Sequence, residues 1–342
     1  MGNGAGLKVD GGVFSQLDAV VNAAVTLERR GYDGCWTAEV NHDPFLPHAL
    51  ASQTTERIEL GTSIAVAFAR NPMLLANLGW DLQHLTDGRF ILGLGSQIKP
   101  HITRRFSMEW SRPAARMREM ILALRAIWAC WNEGAELRFE GEMYTHTLMT
   151  PFFTPPASPH GPPEVHLAAV GPLMTEVAGE VADGLLAHGF TTPEYLRDVT
   201  LPALERGAAK VDRTRDVLSI SLPAFVVTGA SDEETEKAAA AVRGQIAFYG
   251  STPAYAGVLE HHGWDHLHPE LNRLSKEKRW TEMGDLIDDD VLAAFAVVAE
   301  PDAVADALLA RWGGTVDRLS FYAPYATDPA LWADVRRRLQ SA

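Results

Sequence analysis

The stretch Ile58–Phe106 constrains the fold of this chain more than any other. It carries two apolar, glycine-bounded runs, Ile58–Phe68 and Arg89–Gly95, each long enough for a strand buried in a parallel sheet. Between them Met73, Leu74, Ala76, Leu78, Leu82 and Leu85 recur at helical spacing, and Asn71-Pro72 supplies a helix start. Asp87-Gly88 turns the chain into the second run. The unit is therefore strand–helix–strand, with a right-handed crossover expected. The residues after its second strand, Gly95-Ser96-Gln97, are small and polar. In parallel α/β folds the loops at the carboxyl ends of strands carry the chemistry.

The same alternation runs through the chain. Strands are expected at Leu7–Asp10, Gly34–Ala38, Ile58–Phe68, Phe90–Leu94, Glu164–Val170, Leu185–Phe190, Leu218–Thr228 and Val316–Tyr322. Helices are expected at Ser15–Arg30, Pro47–Thr54, Ser111–Trp131, Leu173–Val181, Pro193–Val211, Asp232–Tyr249, Pro301–Arg311 and Pro329–Leu339. Glu136–Leu148 has the pattern of an exposed hairpin or loop, and the six prolines of Pro151–Pro163 make a rigid connection. Tyr255–Ile287 shows no strand pattern and is expected to be a helical insertion. Eight strands alternating with helices predict a (β/α)8 TIM barrel with a helical insertion before the last strand, the insertion spanning about residues 250–300 of one domain covering 1–342. A doubly wound sheet is the alternative, but it normally needs fewer strands and a glycine-rich first turn.

Composition narrows the function classes. The formal net charge of −14 argues against a broad nucleic-acid face, while leaving room for a local basic pocket. The longest apolar run, Val291–Ala299, is far too short to span a membrane, and the start of the chain lacks a basic region followed by an apolar core. Cys35 and Cys130 are the two cysteines, both in apolar surroundings, so no disulfide framework is expected. A cytoplasmic protein is the expectation.

RNPMLLANLGWDLQHLTDGRFILGLGSQ resembles the signature of the luciferase-like monooxygenase superfamily across its third and fourth strands. The resemblance continues in Asn41–Phe45, Ala168–Pro172, Ala182-Asp183-Gly184 and Ser251–Tyr255, so it spans nearly the whole chain. The most similar branch uses the 5-deazaflavin coenzyme F420 in place of FMN. The resemblance implies a TIM barrel, a homodimer, and an oxidoreductase that moves hydride between C5 of the deazaflavin and a small organic substrate. It also implies a non-prolyl cis peptide at or beside Ala65-Val66, with Ala65, Val66 and Ala67 backing the ring. Asn41-His42 stands where relatives carry an Asp-His pair. Ser96-Gln97-Ile98 occupies the place of an acidic proton-transfer residue. An FMN-dependent monooxygenase and a non-catalytic flavin-binding barrel are the alternatives.

These residues define a candidate site. His42, on a strand-end loop, has the chemistry to pass a proton near neutral pH, against the plainer role of a structural hydrogen bond. Glu39 either orients His42 or pairs with an arginine, and the second is favoured. Gly95, Ser96 and Gln97 are expected to approach the cofactor through loop amides and hydroxyls, although Gly93-x-Gly95 lacks the third glycine of a phosphate fingerprint. Val170, Gly171 and Pro172 open a helix whose free amides suit a phosphate, unless they form a plain strand-to-helix turn. Arg104-Arg105 either neutralises the coenzyme's anionic tail or is a solvated pair. The four histidines His261, His262, His266 and His268 lack a metal-ligand spacing, and no metal is expected. Trp110, Trp128 and Trp131 are expected to pack.

Overall fold

The computed structural model describes residues 6–13 and 17–342. Eight parallel strands follow one another around a closed sheet: β1 (Lys8–Gly12), β2 (Gly34–Thr37), β3 (Glu59–Thr62), β4 (Phe90–Gly95), β5 (Glu164–Ala169), β6 (Gly184–Ala187), β7 (Ser219–Val227) and β8 (Arg318–Tyr322). Closure is made by β8 returning to β1, with Val9 opposite Leu319 and Asp10 opposite Ser320. This is the expected (β/α)8 barrel: Val9, Trp36, Leu92, His166, Leu186, Phe225 and Phe321 lie on its strands, and Ile64 lies next to one, in a break of the third.

Apolar strand faces and helix stripes form the main core between barrel and helices. Around the barrel run α1 (Leu17–Arg29), α2 (Leu46–Ala51), α3 (Pro72–Leu85), α4 (Pro113–Glu133), α5 (Pro172–Val181), α6 (Leu201–Ala209) and α7 (Asp232–Gly250). Local chemistry sets their ends. The Asn71 side chain accepts the Met73 amide at 2.8 Å at the start of α3, and Gly134, at φ 72°, stops α4. Trp128 and Trp131 of α4 are buried, and Trp110 packs edge-on against Phe68. The expected start of α1 at Ser15 lies outside the described residues. Between β7 and β8 the chain forms helices Ala256–His261, Leu267–Lys276, Trp280–Asp285 and Asp289–Phe295. They share a second core with α7 and β7, built from Val242, Ile246, Leu259, Leu271, Met283 and Phe295. Among the described residues no helix is long and apolar enough to cross a membrane.

Three expected elements differ. The third strand does not run from Ile58 to Phe68. It stops at Thr62, breaks at Ser63-Ile64, resumes as a two-residue strand Ala65–Val66, and ends in a short 3-10 turn, Ala67–Ala69. The break follows from Thr62. Its hydroxyl donates to the Gly93 carbonyl at 2.7 Å and accepts the Gly93 amide at 3.0 Å, standing in for the backbone ladder. A Cβ at Gly93 would sit 1.6 Å from the Thr62 carbonyl oxygen, so this approach needs glycine. Secondly, the helix expected over Pro193–Val211 is divided into Pro193–Tyr195, a wide turn at Leu196–Thr200, and α6. Pro202 has no amide to continue the first register, and the wide turn absorbs the mismatch. Thirdly, the apolar run near Val291 contributes a strand, Ala296–Val298, which pairs with the end of β7. Its few residues gave no periodicity to detect.

The amino end of the barrel interior is polar. Arg318, 3 % exposed, donates to both oxygens of Asp10 at 2.8 and 2.6 Å and to Glu59 at 2.5 Å. Lys8 reaches Glu59 at 2.7 Å from a more exposed position. Burial alone would lower the Arg318 pKa, but Asp10 and Glu59 hold it above the ordinary arginine value. Gly34 leaves the room: a Cβ there would lie 2.5 Å from Asp10 and 2.6 Å from Arg318. Removing the guanidinium strands a buried carboxylate. Arg318→Ala is expected to cost about 3–5 kcal/mol in urea unfolding, while Lys8→Ala is expected to cost about 1 kcal/mol or less. Equal losses in the two variants would contradict this account.

His48, on α2, is buried, with Nε2 2.8 Å from the Thr37 hydroxyl. Burial pushes its pKa down to about 4, offset in part by the Gly61 carbonyl and Asp43. The unfolded chain therefore binds a proton at this residue between about pH 6.5 and 4 that the folded protein does not. The contribution of neutral His48 is full above that window and is lost as pH falls through it, on the order of 3 kcal/mol. Unfolding free energies at pH 7.5 and 5.0 are expected to differ less in His48→Gln than in the wild type.

Candidate active site

All eight strands point their carboxyl ends toward one cavity of about 1040 Å³. Its wall begins at Asp10–Gly12 and passes through Ala38 and Val40 after β2, then Ser63 and Ile64 in the β3 break. Gly95–Ile98, from the last residue of β4 onward, and Ala168–Gly171, across the end of β5, continue it. His188 after β6, Pro223 of β7, Ser320–Tyr322 of β8 and Ala323 just beyond it complete the circuit. A void this size takes a flat multi-ring ligand beside a small second molecule.

The β3 break is held from outside the cavity. Glu39 accepts the Val66 amide at 2.7 Å and pairs with Arg70 at 2.6 Å, the role favoured from sequence. The Thr37 carbonyl accepts the Ser63 amide at 2.6 Å, and the Ile64 carbonyl accepts the Glu39 amide at 3.1 Å. The peptide bond Ser63-Ile64 is cis, which corrects the expected location at or beside Ala65-Val66. Ala65 and Val66 already pair with Leu94 and Gly95 of β4, so the departure from strand geometry lies before them.

The expected site residues fall into two sets. Gly95, Ser96, Gln97, Val170 and Gly171 come together along one side of the cavity. Gln97 has φ 57°, and the Ser96 hydroxyl donates to its carbonyl at 3.1 Å. Ala65, Val66 and Ala67 are fully buried behind Ser63 and Ile64, outside the lining. Asn41, His42 and Pro172 are exposed and also outside it, although Val40 and Gly171, close to them in the chain, line the cavity. Arg105 donates to the Val40 carbonyl and so braces the β2 turn, while Arg104 is exposed.

The part of the wall beyond β5, at the ends of β6, β7 and β8, holds groups that sequence reasoning missed. His188 Nδ1 accepts the Phe190 amide at 3.0 Å, so its proton sits on Nε2. Burial pushes this imidazole down to about 4, leaving it neutral at physiological pH. Its ring packs 4.6 Å from the rings of Tyr249 and Tyr255. The Tyr249 and Tyr322 hydroxyls are 2.6 Å apart. Burial raises the pKa of both phenols and takes Tyr255 up to about 12, so all three are neutral. The available signal was His188-Gly189 at a strand's carboxyl end, obscured by extending that strand to Phe190. Three of the insertion histidines are engaged elsewhere: His261 Nε2 lies 3.5 Å from Asp198, His262 Nε2 2.7 Å from the Thr192 hydroxyl, and His268 Nδ1 2.8 Å from the Gly250 carbonyl.

The described groups can hold a flat, polar-edged ligand by backbone and neutral side chains and present hydrogen-bond donors to a second molecule. A protein of Mycobacterium tuberculosis with no assigned function is 58% identical over 93% of this chain and 94% of its own length. The 5,10-methylenetetrahydromethanopterin reductase of Archaeoglobus fulgidus is 25% identical over 86% of this chain and 85% of its own. The solved coenzyme F420-dependent tetrahydromethanopterin reductase of Methanopyrus kandleri superposes with a TM-score of 0.78 at 20% identity, covering 98% of this chain and 97% of that one. The sequence pattern of the luciferase-like monooxygenases matches residues 2–318, and the chain belongs to that family.

Proposed function

We propose that the protein is a coenzyme F420-dependent oxidoreductase acting on a small organic substrate. One observation carries this reading: the β3 break, the β4 loop and the β5 loop make a continuous, mostly backbone wall on one side of a cavity with room for a second molecule. The relationship to a methylenetetrahydromethanopterin reductase supports the choice of coenzyme. The wall's donor set fits a deazaflavin. Ser63, Ile64, Gly95, Ser96 and Gln97 offer a surface without charge, suited to a neutral ring with polar edges. Gly171 stands at the start of α5, where a Cβ would meet nothing within 4 Å, and the free amides that follow suit a phosphate. Exposed Lys99 and Arg104 lie on the same stretch as the β4 loop and suit an anionic tail.

When bound, the coenzyme supplies the carbon that gives or takes hydride. The protein's part is to seat the ring, exclude water from the cavity floor and manage the proton. His42 holds that proton at the rim: it is exposed to solvent on the turn whose Val40 enters the cavity. Asn41 and Pro172 border the same rim, and Ala65, Val66 and Ala67 support the wall from behind.

Titrating the purified protein with F420 and with FMN tests the coenzyme. F420 is expected to bind roughly tenfold more tightly or better, about 1.4 kcal/mol. Equal or reversed affinities would sink the assignment. For the proton, His42→Ala is expected to lower turnover by about two to four powers of ten, with F420 affinity changed far less. The measurement follows coenzyme absorbance with a substrate found by screening alcohols, ketones and imines. Normal turnover in His42→Ala would remove His42 from the mechanism.

A further inference from the structure

The cavity has a second side with its own chemistry. In a closed eight-stranded barrel, β7 and β8 lie across from β3 and β4. Tyr322 ends β8, and Tyr249 ends the helix that follows β7. His188, after β6, packs edge-on against Tyr249, and Tyr322 stacks on Phe225 at 4.5 Å. Tyr249 and Tyr322 therefore stand across the barrel from Ser63, Ile64 and the β4 loop, and His188 joins them from beside the β5 loop, since β6 pairs with β5.

Their hydrogen-bonding capacity is directional. Phe190 occupies His188 Nδ1, so Nε2 presents a donor, and it has no partner among the described residues. In the Tyr249–Tyr322 pair one hydroxyl donates to the other, which leaves one O–H to donate onward. All of these groups are neutral. Among the described residues lining the cavity there is no lysine or arginine, and the one charged side chain, Asp10, is already engaged by Arg318. The remaining surface there is apolar, from Met174, Leu186, Phe321 and Trp332. An anion brought here would lose its hydration without meeting a cation, a cost that neutral hydrogen bonds do not recover. A neutral carbonyl or imine would find two donors and an apolar bed.

We propose that His188, Tyr249 and Tyr322 form the specificity-determining pole of the substrate site, taking uncharged molecules with a carbonyl or imine acceptor on an apolar body. This assignment rests on the deazaflavin reading, which puts the ring on the facing wall. The pole excludes phosphate esters and carboxylates of the same size.

The test is calorimetric binding to the full chain, without coenzyme and again with F420 present. The probes are acetophenone, benzoate and phenyl phosphate, matched in size and differing in charge. Acetophenone is expected to bind roughly tenfold or more tightly than either anion. His188→Leu is expected to lose roughly tenfold in acetophenone affinity, and His188→Gln, which keeps an N–H donor, to stay within roughly threefold of wild type. Tyr322→Phe removes one hydroxyl with little change in shape, so it carries the test if His188→Leu fails to fold; it is expected to weaken acetophenone binding several-fold. Benzoate or phenyl phosphate binding as tightly as the ketone would overturn the proposal. So would no ketone binding in either condition, or wild-type affinity in both His188→Leu and Tyr322→Phe. If the chain discriminates among the probes but does not bind F420, the coenzyme reading fails and the pole stands.

Discussion

The sheet closes because β1 and β8, from opposite ends of the chain, pair edge to edge. Everything at the cavity depends on that seam, since it turns eight strand ends into one ring. Arg318 and Asp10 span the seam inside the barrel, with Glu59 of β3 drawn in as a third member. A buried ion pair is weak evidence for stability as such, because desolvation offsets much of its attraction. It is better evidence for register. With Asp10 opposite Ser320 and Arg318 opposite Lys8, the guanidinium reaches both carboxylate oxygens. A shift of one residue would turn one partner out of the barrel.

Above this polar floor the two sides of the cavity are made differently. One is mostly backbone, produced where Thr62 replaces ladder bonds with its hydroxyl and Glu39 with Arg70 holds the strand beyond the break. Backbone approaches a flat ligand closely and carries no net charge. The other side is made of aromatic side chains and a buried imidazole, all uncharged at physiological pH. The protein as a whole is strongly acidic, so the scarcity of cations at the cavity is in keeping with its surface. A cofactor held by the first side and a neutral substrate held by the second would meet in the middle of the barrel, away from bulk water.

The order of strands and helices was legible from the residues alone. Apolar runs of strand length, helical stripes such as that of α4, and punctuation by Asn71-Pro72 and Asp87-Gly88 are local signals, each set by the nearest few neighbours. The β4 and β5 parts of the cavity wall were legible for the same reason, because a small polar loop after a strand is visible in the sequence. Glu39 could be assigned to an arginine by charge alone, but the amide of Val66 as its other partner could not.

What the sequence determined by itself is therefore the alternation, the strand count and the loops that end the strands. The tertiary structure decided where the third strand breaks, because that depends on a Thr62 hydroxyl meeting Gly93 on a neighbouring strand. It also decided the company of His188. Tyr249 and Tyr255 belong to distant parts of the chain and meet this imidazole through the closing of the barrel, with Tyr322 reached through Tyr249, and no local pattern records a contact between such separate segments. The lowered basicity of His188 is likewise a property of the assembled cavity: burial sets it, and burial exists only once the chain has folded.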